Sequence, residues 1–153
     1  MAHVCLANWI QHETLNTHCQ SLVKFELVHT SEMPIVDYAN RIFQYTNTSD
    51  STYIIALIYI KRLLQNTTNA FISKTNAHKL MLLSCLLATK YIEDVPYNNA
   101  QWARVGGFSL AELNSLELYM LSAMQWRLYV SQQEVEHVSR LHFQDPEGLP
   151  ARS

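Results

Sequence analysis

The chain has 153 residues, enough for one domain with a true hydrophobic core and too few for a second of ordinary size. Hydrophobic residues make up 48% and charged ones 16%, with only three glycines and four prolines; this excludes a disordered chain, a turn-rich β-sandwich or barrel, and a glycine-built phosphate cradle. The formal net charge is −2 with no basic run, which argues against sequence-independent binding to a phosphate backbone, and the apolar excess is expected to serve a partner as well as the core.

From about Trp9 to Val28 the apolar residues Leu15, Cys19, Leu22, Val23 and Leu27 recur at helical spacing, predicting a loosely amphipathic helix. Ser31-Glu32-Met33-Pro34 breaks it, and Pro34 opens a helix to about Tyr45 with Ile35, Tyr38, Ile42 and Tyr45 on one face. The polar joint Thr46 to Asp50 caps a helix over Tyr53 to Gln65, whose first eight residues are apolar on every side. Leu80 to Ile92 repeats that design, and Pro96 closes it. Helices apolar all round belong in the middle of a bundle, so the remaining segments must pack about these two. A short segment at Asn98 to Val105 ends at Gly106-Gly107. Ser109-Leu110-Ala111-Glu112 and Ser131-Gln132-Gln133-Glu134 both read as capping boxes, Ser accepting from the backbone while Glu reaches back. Between them Leu110, Leu113, Leu116, Met120, Leu121 and Met124 form a stripe of 3.6-residue period. The total is six or seven helices.

Catalytic patterns are missing: there is no G-x-S-x-G elbow, no phosphate loop and no H-E-x-x-H, and no cofactor is expected. Glu134 and His137 have the spacing of half a di-iron site, which needs a second copy, and His137 and His142 fall on different helix faces, so no metal is expected. Cys5, Cys19 and Cys85 form no CxxC pair; a reducing compartment is expected, with Cys85 packed as a small hydrophobe. The start lacks the pattern of a secretory signal and no apolar run approaches the roughly 18 residues of a membrane span, so an intracellular protein without a membrane partner is expected. The sequons at Asn47 and Asn66 then read as polar loop residues. Lys90 and Glu117 stand out at the ends of apolar runs, where a charge is costly to bury unless paired or facing an interface. Spacing leaves two readings open: an ion pair on the bundle surface, or two polar groups aimed at a partner beside Tyr91, Trp126 and Leu128.

Asn76-Ala77-His78-Lys79-Leu80 leading to Leu87-Ala88-Thr89-Lys90-Tyr91-Ile92-Glu93-Asp94 resembles the third helix of a cyclin box. Tyr97-Asn98-Asn99, Trp102 to Gly107, Glu112 to Glu117, Arg41 to Thr46 and Tyr59 to Leu63 resemble the phosphate-pathway, or P/U-type, cyclins, in the right order over about Pro34 to Val130. The resemblance implies an all-α, single cyclin-box bundle over residues 31–144, with an N-terminal helical extension at 1–30 and a loose tail at 145–153. It implies a regulatory subunit, not an enzyme, that binds and activates a cyclin-dependent kinase in nutrient signalling or the cell cycle. Such a chain is expected to be a monomer when free and a heterodimer with its kinase, in nucleus or cytoplasm. In the family the residues at the places of Lys90 and Glu117 bond the kinase loop preceding its mobile N-lobe helix. Those at Leu87, Tyr91, Leu121, Trp126 and Leu128 form the apolar surface on which that helix rests.

Two departures stand against the family pattern. Lys61 replaces the usual aspartate of the second helix, whose arginine partner on the first would be Arg41, so this joint needs Asp37 between the cations or a different arrangement. The Met-Arg-Ala-Ile-Leu patch that docks Arg-x-Leu substrates is also absent. An adaptor of the same fold that binds a protein without activating a kinase is the alternative reading. A nucleic-acid binder of the same fold would need a basic face.

Overall fold

The two helices that are apolar on every side lie at the centre of the molecule. The computed structural model describes residues 1–17, 19–27 and 31–144. Among these residues there are seven α-helices: α1 Ala2–Glu13, α2 Ile35–Thr46, α3 Asp50–Asn66, α4 Ala77–Ile92, α5 Asn99–Gly106, α6 Leu110–Ala123 and α7 Gln132–His142. The fold is all-α, and the described β structure is a single isolated bridge between Leu15 and Ser73. Helices α3 and α4 share the most extensive contact, with α1 and α2 covering one side and α5, α6 and α7 the rest. Every residue from Thr52 to Ile60 and from Ala77 to Thr89 is buried. Each fully buried Ile or Leu there contributes about 1.5–3 kcal/mol relative to exposure in water.

The start of α2 follows from Pro34, which occupies the N-cap and leaves no orphan N–H behind it. Ile35, Tyr38 and Ile42 face the core as expected, but Tyr45 is 55% exposed. Its ring instead lies beneath the Arg41 guanidinium, 5.2 Å from carbon to centroid. Asn66, read as a loop residue, is the last residue of α3, and Asn47 is the left-handed C-cap of α2. Helix α5 ends where Gly107 takes a φ of +80°, and a methyl group on Gly106 would run into Leu82, so this glycine lets α5 approach α4 closely.

The predicted helix from Trp9 to Val28 does not form. Helix α1 starts earlier, at Ala2, and stops at Glu13, where Thr14 turns extended and its hydroxyl donates to the Ile10 carbonyl at 2.6 Å. Leu15 then pairs its N–H with the Ile72 carbonyl at 2.9 Å. Threonine and asparagine side chains compete for backbone partners, and Thr14, Asn16 and Thr17 follow one another here. The five apolar residues of the expected face are split: Cys19 and Leu22 are buried, Leu27 is half-buried, and Leu15 and Val23 are exposed. A 3-10 turn at Val23–Phe25 seats Phe25 in the core instead. Val28 and the tail at 145–153 lie outside the described residues.

Both predicted capping boxes form by half. Ser109 and Ser131 accept from the N–H groups of Glu112 and Glu134, each at 3.1 Å. The two glutamates do not reach back: Glu112 meets Lys79 Nζ at 2.6 Å and Glu134 meets Arg62 Nη2 at 2.8 Å. A largely buried cation without a counter-charge costs more than one backbone N–H left to water, so the ion pair wins. The complete box is at Asn98 and Gln101, where both reciprocal bonds are present at 2.8 and 2.9 Å.

Lys61 and Arg41 do not form a joint. Lys61 Nζ donates to His142 Nε2 at 3.1 Å and lies over the Trp9 ring, tying α3 to α7 and α1. Arg41 Nε donates to the Val105 carbonyl at 2.7 Å, tying α2 to α5. Each cation has its own partners on a different helix, so no acid is needed between them.

Candidate functional site

Helix α4 is buried for most of its length and reaches the surface only in its last turn, where Lys90 and Tyr91 emerge after Leu87. Helix α6 runs beside that turn and presents Glu117 and, one turn later, Leu121. The chain then reverses through Gln125 and Trp126, both left-handed at φ +56° and +58°. Trp126 N–H closes the helix end on the Leu121 carbonyl at 2.9 Å. That is the longer bond of a Schellman turn, although the left-handed residue here is not the usual glycine. A tryptophan at positive φ is a strained conformation that packing must enforce.

The enforcement is visible in the strand of backbone that follows. Tyr59 Oη on α3 donates to the Leu128 carbonyl at 2.8 Å, and Tyr91 Oη on α4 accepts from Val130 N–H at 3.2 Å. Arg62 Nη1 donates to the Arg127 carbonyl at 2.6 Å while its Nη2 holds Glu134. Burial pushes the Tyr59 hydroxyl well above its ordinary pKa, so it stays protonated and remains a donor at any physiological pH. Tyr59 and Arg62, which sequence reasoning did not single out, therefore position the segment that carries Trp126 and Leu128. Both lie in the Tyr59 to Leu63 motif, but nothing in its spacing says which carbonyls they reach.

The result is an open groove of about 330 Å³ lined by Leu87, Lys90, Tyr91, Glu117, Leu121, Trp126 and Leu128. All seven residues named from the sequence thus meet along one surface. Leu87 is buried and forms the floor, whereas Trp126 is 59% exposed and is not core. At the rim, Lys90 Nζ lies 2.6 Å from Glu117 Oε2, with the lysine side chain 37% exposed and the glutamate 17%. Asn99 Nδ2 holds the other carboxylate oxygen at 3.2 Å and also donates to Asn114 Oδ1 at 2.7 Å. Asn99 belongs to the Tyr97-Asn98-Asn99 motif, and its role in aiming Glu117 was not legible there.

Glu134 is committed to Arg62, and among the described residues no three His, Cys, Asp or Glu side chains cluster as metal ligands. Complete burial drives the Cys85 thiol far above its ordinary pKa, leaving it a neutral packing group. No described helix is long and apolar enough to cross a membrane.

Comparison with known proteins agrees with the helical arrangement. The family model described as Cyclin matches residues 4–128. Cyclin-U2-1 of Arabidopsis thaliana is 40% identical over 107 residues, which cover 70% of this chain and 48% of that protein. Cyclin-P4-1 of Oryza sativa subsp. japonica is 42% identical over 94 residues, covering 61% and 44% respectively. Cyclin-U3-1 of Arabidopsis thaliana is 36% identical over 130 residues, covering 84% and 58%. The chain spans about half the length of the curated relatives it matches. A family match over most of the chain, on an all-helical bundle of this order, makes it a member of the cyclin family.

Proposed function

We propose that this chain is the regulatory subunit of a cyclin-dependent protein kinase, which it binds through the Lys90–Glu117 groove and activates. The observation that supports this reading is the meeting of one ammonium, one carboxylate and a ring of partly exposed apolar side chains in a single groove. A protein kinase transfers phosphate only when its strand lysine pairs with a glutamate on the mobile N-lobe helix. A subunit that binds the inward position of that helix more tightly than the outward one shifts the population toward activity. Moving that balance from about 1:99 to about 99:1 takes about 5.5 kcal/mol of differential binding.

The groove has the parts for it. Leu87, Tyr91, Leu121, Trp126 and Leu128 offer an apolar bed for the helix, and burying Trp126 supplies the largest single area. Lys90 donates to a carbonyl and Glu117 accepts from an N–H of the loop that precedes the helix. Because the two groups satisfy each other in the free chain, binding exchanges one hydrogen bond for others rather than desolvating bare charges. Affinity then comes mainly from the apolar bed, and the charged pair fixes the partner's register. The chain performs no chemistry of its own in this reading. It is a monomer alone and a one-to-one heterodimer with the kinase, in nucleus or cytoplasm, serving nutrient signalling or the cell cycle.

Size-exclusion chromatography of the chain mixed with each cyclin-dependent kinase of its own source tests the binding step. One kinase should co-elute with the wild-type chain and separate from a Trp126→Ala variant. Co-elution without a rise in phosphorylation rate would replace activation by an adaptor role, and no co-elution with any kinase would remove the reading.

A further inference from the structure

A second cleft, of about 400 Å³, opens between α2 and α5 and shares no residue with the Lys90–Glu117 groove. It is lined by Arg41, Tyr45, Tyr97, Gln101, Arg104 and Val105, with no acidic side chain among them. Arg41 is set in place twice over, by the bond from its Nε to the Val105 carbonyl and by the Tyr45 ring beneath its guanidinium. Among the described residues, no hydrogen bond or ion pair engages its two Nη groups, and Arg104 has no acidic partner. Gln101 spends its Oε1 on the Asn98 N–H, so its amide N–H groups are left to donate. The adjoining cavity, which shares Tyr97, contains one carboxylate, Glu93, whose Oε1 accepts from Ser49 Oγ at 3.3 Å.

Among the described residues other basic side chains, such as Arg127 and Arg140, also lack an acidic partner; what sets Arg41 and Arg104 apart is that both line one cleft whose lining holds no acid. Arginine presents its N–H groups in a planar fork that matches a carboxylate with two parallel bonds, and a guanidinium already oriented loses little entropy in making them. The tyrosine rings and Val105 give an apolar wall beside the cations, and the Gln101 amide faces the same space as a donor for backbone carbonyls. We propose that this cleft docks an acidic, extended peptide segment of a protein partner, with carboxylates on Arg41 and Arg104. A nucleic acid is disfavoured as occupant, because a phosphate backbone is held by many cations and the net charge of −2 repels it.

The test uses the free chain and is independent of the kinase reading. A fluorescein-labelled peptide of Glu-Asp-Gly repeats is titrated with the full chain and followed by polarisation, with a Gln-Asn-Gly peptide and a single-stranded oligonucleotide in parallel. The acidic peptide should bind, and Arg104→Glu should weaken it by about tenfold or more. Raising the salt should weaken it too. Trp126→Ala should leave it unchanged. Arg104 is exposed, so an unaltered melting temperature shows that the variant is folded. Equal binding of the amide peptide, no effect of Arg104→Glu, or tighter binding of the oligonucleotide through the same arginines would each overturn the proposal.

Discussion

Lys90 on α4 and Glu117 on α6 are joined at 2.6 Å across the rim of an apolar groove, and Asn99 on α5 holds the second oxygen of that carboxylate. Three helices thus converge on one ion pair at the only charged point among the seven groove residues. Such a pair, partly open to water, contributes about 1 kcal/mol or less to the stability of the free chain.

Glu117→Ala or Lys90→Ala should therefore leave the chain folded, with a loss of about 1 kcal/mol or less in urea unfolding. Either variant should nevertheless weaken kinase binding by about 2 kcal/mol or more, as truncating one partner of a hydrogen-bonded charge pair that binding buries does. Isothermal titration with the kinase against parallel unfolding curves separates the two effects. Losses of equal size in both would mean that the pair serves only the fold.

Gln125 sits in the left-handed region at φ +56°, where a side chain costs about 1 kcal/mol and glycine almost nothing. Gln125→Gly should raise stability by about 0.5–1 kcal/mol. Gln125→Val should lower it by at least as much, because a branched Cβ fits that conformation worst. A urea midpoint that falls with glycine would contradict the left-handed turn before Trp126.

Lys79 is only 6% exposed and depends on Glu112 and the Glu26 carbonyl, whereas Glu112 is itself 40% exposed. Removing the acid strands a buried ammonium; removing the lysine frees a carboxylate that water already reaches. Glu112→Gln should thus cost about 1–2 kcal/mol, a buried-pair penalty reduced for the partial exposure of the acid, and more than Lys79→Met. The reverse order in denaturant unfolding would show that Lys79 is not held by this pair.

His3, His78 and His142 all have pKa values held below the ordinary 6.5, burial being the largest cause in each. For His142 the Lys61 ammonium and His137 add to the lowering, and Glu13 opposes it. The unfolded chain then binds more protons than the folded one in mildly acidic solution. The stability due to neutral histidines is complete above pH 6.5 and is lost as pH falls through the lowered values. Melting temperature should drop between about pH 7 and about pH 5, and less steeply in His142→Gln. A flat profile would show that these rings do not need to stay neutral.

The central pair of helices was legible because Tyr53 to Ile60 and Leu80 to Leu87 have no polar face, and only the middle of a bundle accepts such a segment. The stretch after Glu13 was misread because Leu15, Cys19, Leu22 and Val23 fall at helical spacing while Thr14 and Asn16 favour local backbone bonds; periodicity counts the first and ignores the second. Tyr45 failed for a related reason, since a helical face does not say that a neighbouring arginine takes the ring. Periodicity also could not choose between core and interface for Trp126; the family pattern made that choice, and the left-handed turn explains how the indole reaches the surface. The anchors Tyr59, Arg62 and Asn99 act through backbone atoms and amide orientation from other helices, which linear sequence does not display.

Kinase activity on a generic protein substrate, measured without this chain and with increasing amounts of it up to saturation, tests the central claim most directly. The account predicts that one cyclin-dependent kinase of the same source is stimulated and that Glu117→Ala raises the chain concentration needed for half-maximal stimulation by about 30-fold or more. A kinase that binds the chain yet phosphorylates at an unchanged rate, or one stimulated at the same half-maximal concentration by Glu117→Ala, would contradict it.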